Sequence, residues 1–149
     1  MKLKKLTAAC TLACATLFGA AAPAQAQISG DVIRIGIITD MSSLYADIDG
    51  PGGVEAIKMA IADAGGAVAG KKVEVLFADH QNKADIAAAK AREWFDTQGL
   101  DMLIGGTNSG TALAMAKVAA EKKTSYLVVP AALFSQTKAQ SESYTVHWV

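Results

Sequence analysis

The sequence predicts an α/β domain built on a parallel sheet. Short apolar runs begin near residues 33, 72, 101, 125 and 145, and runs of helical length lie between most of them. This alternation of strand and helix is typical of βαβ units joined by right-handed crossovers. In open sheets of this class, small polar ligands bind at the carboxyl ends of the strands.

Apolar residues and glycines define the first two strands and the helix between them. Ile33–Ile38 is an apolar strand, and a helix spans Gly53–Ala64. The helix is expected to turn four apolar side chains towards the sheet: Val54, Ile57, Met59 and Ile61. Glycines at positions 65, 66 and 70 break the chain before the second strand, Lys72–Phe77.

The alternation continues through the second half of the chain. A long helix spans Asp85–Thr97, with Asp85 favourable at its N-terminus and Gly99 ending it. Its expected packing residues are Ile86, Ala89, Trp94 and Phe95. The remaining predicted elements are the strand Asp101–Ile104, the helix Ser109–Lys122, and the strands Ser125–Val129 and Tyr144–Val149.

Residues 1–26 are predicted to be an export signal. Lysines precede the uncharged apolar segment Leu6–Ala21, and Ala24-Gln25-Ala26 has the small-x-small pattern of a cleavage site. An N-terminal membrane anchor is the alternative, for which this Ala-rich segment is short. The mature chain is therefore expected to begin at Gln27 and to be exported.

The predicted mature chain is free of cysteine and slightly acidic. Cys10 and Cys14 both lie in the signal segment, so no disulfide is expected. Removing the three lysines of that segment leaves 11 of the 14 basic residues against 14 acidic ones. This balance argues against a nucleic-acid partner, for which a basic stripe would be expected.

The loop after the first strand carries groups that suit a small ligand. Asp40, Ser42, Ser43 and Tyr45 precede Gly50-Pro51-Gly52-Gly53. The hydroxyls offer hydrogen bonds and the tyrosine ring offers a stacking face, so Ser43 and Tyr45 are expected to contact the ligand. Asp40 is placed to orient the loop hydroxyls, whereas a catalytic role for it lacks a paired carboxylate.

A second candidate turn lies between a predicted strand and a helix, at Ile104-Gly105-Gly106-Thr107-Asn108-Ser109-Gly110-Thr111. Ser109 or Thr107 is predicted to cap the helix. The hydroxyls of Ser109 and Thr111, together with the helix dipole, offer a place for a carboxylate or carbonyl. An ordinary helix cap is the plain alternative. The glycine spacing matches neither a dinucleotide fingerprint nor a phosphate loop.

Two further segments are weaker candidates. Val129-Pro130-Ala131-Ala132-Leu133-Phe134-Ser135 leaves the fourth strand, and its small residues would let backbone groups reach a ligand; a surface turn is the alternative. Asp79-His80-Gln81-Asn82-Lys83 either rims the cleft or, as we favour, is a solvated loop. His80 and His147 are far apart and no metal-ligand spacing occurs, so no metal or cofactor is expected.

Taken together, several of these motifs resemble one family. They are Ile-Gly-Ile-Ile-Thr-Asp-Met-Ser from Ile35, Tyr45-Ala46-Asp47, Gly50-Pro51-Gly52, Ala78-Asp79-His80-Gln81-Asn82-Lys83, Asn108-Ser109 and Tyr144-Thr145-Val146-His147-Trp148. In this combination the chain, from Ile33 to Val149, resembles the N-terminal lobe of type I periplasmic solute-binding proteins. The nearest match is the branched-chain amino acid-binding, leucine-binding-like family of ABC importers.

The resemblance implies two α/β lobes that close on a ligand, with residues 27–149 forming the first. It implies that Ser109 and the backbone at Ala131 and Ala132 hold the carboxylate or equivalent polar head of the ligand while Tyr45 covers it. Asn108 is a further candidate ligand residue. Relatives usually have Thr or Ser after the Ala pair, whereas this chain has Leu133 and Phe134. The more apolar wall makes an aromatic or less polar acid, or an amide, a rival to an ordinary amino acid.

The resulting hypothesis is an exported solute-binding protein that delivers an amino acid-like, amide or aromatic carboxylate solute to an ABC permease and catalyses nothing. Because the chain stops inside an apparent strand, we expect a fragment of a protein that is monomeric when complete; a small complete domain is the alternative. Two rival functions are an exported α/β enzyme using Asp40 or His80, and a ligand-sensing receptor domain.

Overall fold

The computed structural model describes residue 28, residues 30–129 and residues 144–147. The strands are β1 (Val32–Thr39), β2 (Ala67–Val68), β3 (Lys71–Asp79), β4 (Met102–Gly105), β5 (Ser125–Val128) and β6 (Thr145–His147). The helices are α1 (Ala46–Asp49), α2 (Pro51–Asp63), α3 (Ala84–Thr97) and α4 (Ser109–Lys122). Within these ranges no helix is long and apolar enough to cross a bilayer.

A mostly parallel sheet organises these elements, which confirms the predicted fold class. Its strand order is β2-β3-β1-β4-β5-β6. β1 pairs in parallel with both β3 and β4, and β4–β5 and β5–β6 are also parallel, whereas β2 pairs antiparallel with β3. From β1 the chain runs first to β3 on one side and then to β4 on the other. Open α/β sheets form their ligand crevice at such a reversal, beyond the carboxyl ends of the strands.

The hydrophobic core lies between the sheet and helices α3 and α4. Ile38, Leu103 and Val128 are fully buried on this side, where they pack with Met115 of α4. Tyr126 is also fully buried, and its hydroxyl donates to Gly105 O at 3.1 Å. Burial raises the pKa of Tyr126, and the charge of Asp49 adds to the effect. Tyr126 is therefore a neutral hydrogen-bond donor that ties β5 to the end of β4.

The opposite face of the sheet carries an apolar groove beside α2. Ile37, Ile104 and Leu127 lie side by side in register and line it together with Ile57. The groove has a volume of about 270 Å³, and Asp49 lies at its wall. None of the predicted ligand residues in the described ranges lines this groove. Its apolar lining suits packing better than it suits a polar ligand.

The predicted packing faces of two helices are partly wrong. Met59 of α2 is 66% exposed, and Val54 is the buried residue of that helix. Ala89 of α3 is exposed, because the inner face of α3 follows Trp94 at spacings of three and four residues through Ala91 and Ala87.

Two short elements are absent from the sequence prediction. β2 forms a hairpin with β3 through Ala69 and Gly70, which have φ values of 50° and 79°. Helix α1 lies inside the segment expected to be a loop. Of the predicted last strand, Thr145–His147 forms β6, whereas Trp148 and Val149 lie outside the described residues.

Candidate ligand-binding site

The carboxyl ends of β1, β3 and β4 bring three polar segments to one edge of the sheet. Asp40 follows β1, His80 follows β3, and the turn from Gly106 to Gly110 follows β4. The backbone N–H of His80 donates to Thr39 O at 2.9 Å, which extends the pairing of β1 and β3 into this edge. The two candidate ligand loops, which follow β1 and β4, therefore lie at the same edge as the loop after β3, which was predicted to be solvated.

Asp40 organises the loop after β1. It is fully buried, and it accepts hydrogen bonds from Ser43 N at 2.9 Å, Ser43 Oγ at 2.6 Å and Tyr45 N at 2.9 Å. Burial alone would raise the pKa of Asp40, but these hydrogen bonds outweigh it and lower the pKa. The prediction that Asp40 orients the loop hydroxyls is confirmed for Ser43, whereas the hydroxyl of Ser42 donates to Asp79 instead.

Asp79 holds the same loop from the neighbouring strand. Its carboxylate accepts from Met41 N at 3.0 Å, Ser42 Oγ at 2.5 Å and Gln81 N at 2.7 Å. Burial opposes ionisation, yet these donors lower the pKa of Asp79. The segment that begins at Asp79 is thus bonded to the candidate ligand loop, and the prediction of a simple solvated loop is wrong for this residue.

His80 is fully buried and lies close to both of these carboxylates. Its Nδ1 accepts from Asn82 N at 3.0 Å, and its Nε2 has no hydrogen-bond partner among the described residues. Burial lowers the pKa of His80, although the negative charges of Asp40 and Asp79 act in the opposite direction. Because Nδ1 is an acceptor, the neutral ring carries its proton on Nε2.

Asp40, Asp79 and His80 each place a potential ligand atom within 4.8 Å of the others. Their bonding does not suit a metal ion. Each carboxylate already accepts from three donors, the acceptor lone pair of the imidazole faces the Asn82 N–H, and Nε2 carries a proton. The cluster is better explained as a hydrogen-bonded support for the loop.

The burial of neutral His80 predicts a loss of stability in mildly acidic solution. The unfolded chain takes up a proton near the ordinary pKa of 6.5, whereas the folded chain does so only at lower pH. The stability that the buried neutral ring contributes is therefore fully present above pH 6.5 and is lost as the pH falls towards the pKa of His80 in the folded chain. His80→Asn keeps an acceptor near Nδ1 but cannot titrate. Urea unfolding should therefore show the wild-type free energy of unfolding falling, relative to that of the variant, as the pH drops below about 6.5; parallel pH profiles would contradict this.

Helix α4 is capped by Asn108, not by Ser109 or Thr107 as predicted. Asn108 Oδ1 accepts from Gly110 N at 2.6 Å and from Thr111 N at 3.3 Å. The prediction that Thr111 offers a ligand hydroxyl is also wrong, since this residue is 1% exposed and donates to Asn108 O at 2.8 Å. The hydroxyl of Ser109 is left without a hydrogen-bond partner among the described residues.

Asp49 links the two candidate turns, which the sequence does not predict. Its Oδ1 accepts from Thr39 Oγ1 at 2.9 Å and also from Thr107 Oγ1. Helix α1, which follows Tyr45, is thereby bonded to the turn that carries Asn108 and Ser109. No sequence signal could have revealed this bond, since Asp49 and Thr107 are separated by 58 positions.

The predicted ligand residues fall into two groups. Ser43, Tyr45, Asn108 and Ser109 lie in the two turns that Asp49 joins, although the Ser43 hydroxyl already donates to Asp40. Ala131, Ala132 and Leu133 lie outside the described residues. Leu44 and Ile48 flank Tyr45 and are 76% and 62% exposed. Two large apolar side chains in a polar, glycine-rich loop are a signal that sequence reasoning overlooked.

Comparison with known proteins identifies the family. The sequence profile of the family described as "Periplasmic binding protein" matches residues 32–149. The chain belongs to this family. Within it, the similar solved structures are type I periplasmic binding proteins, and one of them is described as a branched chain amino acid ABC transporter ligand-binding protein. The resemblance stated from the motifs is confirmed, and the family consists of substrate-binding components of transporters rather than enzymes.

Three solved periplasmic binding proteins illustrate the match. One from Burkholderia mallei is 64% identical, with a TM-score of 0.77, over 79% of this chain and 32% of its own. A branched chain amino acid ABC transporter periplasmic ligand-binding protein from Burkholderia xenovorans is 44% identical, with a TM-score of 0.66, over 70% and 28%. An ABC transporter solute binding protein from Rhodopseudomonas palustris, in complex with 3,4-dihydroxybenzoic acid, is 29% identical, with a TM-score of 0.73, over 79% and 32%.

The chain spans about a third of the length of these solved periplasmic binding proteins. None of the curated proteins compared with it matches significantly.

Proposed function

We propose that this chain is the N-terminal lobe of an exported substrate-binding protein that captures a small carboxylate-bearing solute for an ABC importer. Residues 1–26 would direct export to the periplasm, and residues 27–149 would form the first of two lobes. The solute would lie between the lobes, and a permease in the inner membrane would receive it. The whole protein would act as a monomer, without a cofactor and without nucleic acid.

The observation that carries this proposal is that the hydroxyl of Ser109 does not cap helix α4. Asn108 satisfies the N–H groups of Gly110 and Thr111, so Ser109 is released from capping. Its hydroxyl has no partner among the described residues and lies at the N-terminus of α4, a helix of 14 residues. The dipole of such a helix favours negative charge at this end, where the hydroxyl of Ser109 can donate a hydrogen bond to a carboxylate.

The surroundings favour an aromatic carboxylate over a charged or strongly polar solute. The exposed apolar residues Leu44 and Ile48 precede and follow half-buried Tyr45 in the same segment. Leu133 and Phe134 add apolar residues to a third candidate segment. The Rhodopseudomonas palustris relative was solved with an aromatic carboxylate, 3,4-dihydroxybenzoic acid. A branched-chain amino acid remains the second candidate, on the strength of the Burkholderia xenovorans relative.

A catalytic role for the described carboxylates is poorly supported. Asp40 and Asp79 each accept from three donors, and the pKa of each is lowered. A general base that works near neutral pH needs a pKa near the working pH, and a carboxyl group reaches it only if its pKa is raised. Binding without turnover, with closure driven by the ligand's preference for the closed form, fits these groups better.

Replacing the Ser109 hydroxyl tests the site directly. Ser109→Ala in the whole protein should weaken binding of 3,4-dihydroxybenzoate about tenfold, because one hydrogen bond to a charged group is worth about 1.5 kcal/mol. Titration calorimetry measures the change. Ser125→Ala, at an exposed serine at the start of β5, is the matched control and should bind as the wild type does. Equal affinity in both variants would place the carboxylate elsewhere.

A further inference from the structure

Asp49 sits where three elements of the site meet. Thr39 ends β1, Asp49 ends α1, and Thr107 lies in the turn after β4. Both threonine hydroxyls donate to the same oxygen, Asp49 Oδ1, and the two hydroxyl oxygens are 3.4 Å apart. Thr39 is fully buried, so one of these donors is fixed in the core.

The segment from Met41 to Asp49, here called the Tyr45 segment, has carboxylate attachments at both ends. At its start, Asp40 holds the N–H groups of Ser43 and Tyr45. In its second half, α1 buries none of its residues and has no side-chain cap, and a helix of four residues has little stability of its own. The side chain of Asp49 ties this half to the end of β1 and to the turn after β4.

The same carboxylate reaches the turn that carries Ser109. Among the described residues, the bond from Thr107 to Asp49 is the side-chain hydrogen bond that joins the Tyr45 segment to the turn from Gly106 to Gly110. Gly50 brings the end of the segment back against its beginning, since a Cβ there would lie 2.6 Å from Asp40 O. The two candidate ligand turns are therefore held by one acceptor.

We propose that Asp49 is a positioning residue that holds the Tyr45 segment and the Ser109 turn in the single arrangement that a ligand contacts. The ligand part of this inference rests on the proposed function, whereas the coupling of the two turns is a property of the chain itself. Asp49 acts through Thr39 and Thr107 and need not touch the ligand. Its loss should loosen both turns together, although they are far apart in sequence.

Hydrogen exchange followed by mass spectrometry on the full chain tests the coupling without a ligand. Asp49→Leu removes the acceptor, and amide exchange should become about tenfold faster in both turns. Asp49→Asn keeps a side-chain oxygen for the two hydroxyls and should restore slow exchange. Asp47→Leu, in the same helix and at an exposed carboxylate without a described hydrogen bond, should leave exchange unchanged.

Exchange at Leu103 and Met115 in the core reports whether a variant is folded. If the Asp49→Leu variant exchanges at these two positions as an unfolded chain would, the Thr107→Val variant is tested instead. This substitution removes one hydrogen-bond donor and leaves the Asp49 carboxylate in place. Faster exchange in both turns supports the proposal. Faster exchange confined to the Tyr45 segment, or no change in either turn, overturns it.

Affinity for 3,4-dihydroxybenzoate separates this inference from the proposed function. In the whole protein, Asp49→Leu should weaken binding about tenfold while Asp49→Asn stays within about twofold of the wild type. If the wild type does not bind this acid, the proposed substrate class is wrong, and the exchange data still decide the role of Asp49. If the wild type binds and Asp49→Leu binds equally well, positioning by Asp49 is overturned.

Discussion

Asp40→Ala is expected to lower the free energy of unfolding by about 3 kcal/mol and to release the loop after β1. The substitution leaves the N–H groups of Ser43 and Tyr45 without the carboxylate that now accepts from both. It also leaves a space at a fully buried position. Since Tyr45 is a predicted ligand residue, binding should weaken along with stability.

Urea unfolding at neutral pH measures this effect, and two variants sharpen it. Asp47→Ala removes an exposed carboxylate from the same region and should change the unfolding free energy little. Asp40→Asn keeps one oxygen but turns an NH₂ group towards donors that need an acceptor, so it should recover only part of the loss. A loss below about 1 kcal/mol for Asp40→Ala would mean that the loop does not depend on this carboxylate.

Gly105→Ala is expected to lower the free energy of unfolding by about 3 kcal/mol or more. Gly105 ends β4 with a φ of 143°, and a Cβ there would lie 2.1 Å from Ile38 O in the paired strand β1. The carbonyl of Gly105 also accepts from the Tyr126 hydroxyl and from Val129 N. The new methyl group would therefore push apart the two strands that carry the candidate turns.

Gly52→Ala is the matched control for this substitution. Gly52 lies in the first turn of α2, where a Cβ meets nothing within 4 Å. Alanine is a better helix former than glycine, so this variant should be stabilised by up to about 1 kcal/mol. Thermal unfolding of the two variants side by side measures both effects. Equal small changes would show that the close approach of β1 and β4 at Gly105 is not needed.

The larger elements could be predicted because each carries its own signal. Ile33–Ile38 and Lys72–Phe77 are apolar or alternating runs, and the observed strands extend them by at most two residues at either end. The buried face of α3 can also be predicted from the sequence, because Trp94, Ala91 and Ala87 follow one another at helical spacing. Ala89 lies outside that spacing and is exposed.

The residue that caps helix α4 could not be predicted from its neighbours in the sequence. Thr107, Asn108 and Ser109 are consecutive, and all three residue types favour the cap position. The structure caps the helix with Asn108, and the hydroxyl of Thr107 donates to Asp49 instead. The bond between Thr107 and Asp49 joins distant parts of the chain, so the local sequence does not reveal it. The same holds for Asp79, whose role depends on the loop that follows a different strand.

The most direct test of the central proposal is a thermal-shift titration of the whole protein with 3,4-dihydroxybenzoate, benzoate and leucine, followed by chromatographic recovery of each compound. The account predicts saturable stabilisation by an aromatic carboxylate, about 2.7 kcal/mol at 100 times its Kd, with the compound recovered unchanged. Conversion of the compound would contradict a binding protein, and stabilisation by leucine alone would contradict the aromatic substrate class. No stabilisation by any of the three would contradict the proposed carboxylate site.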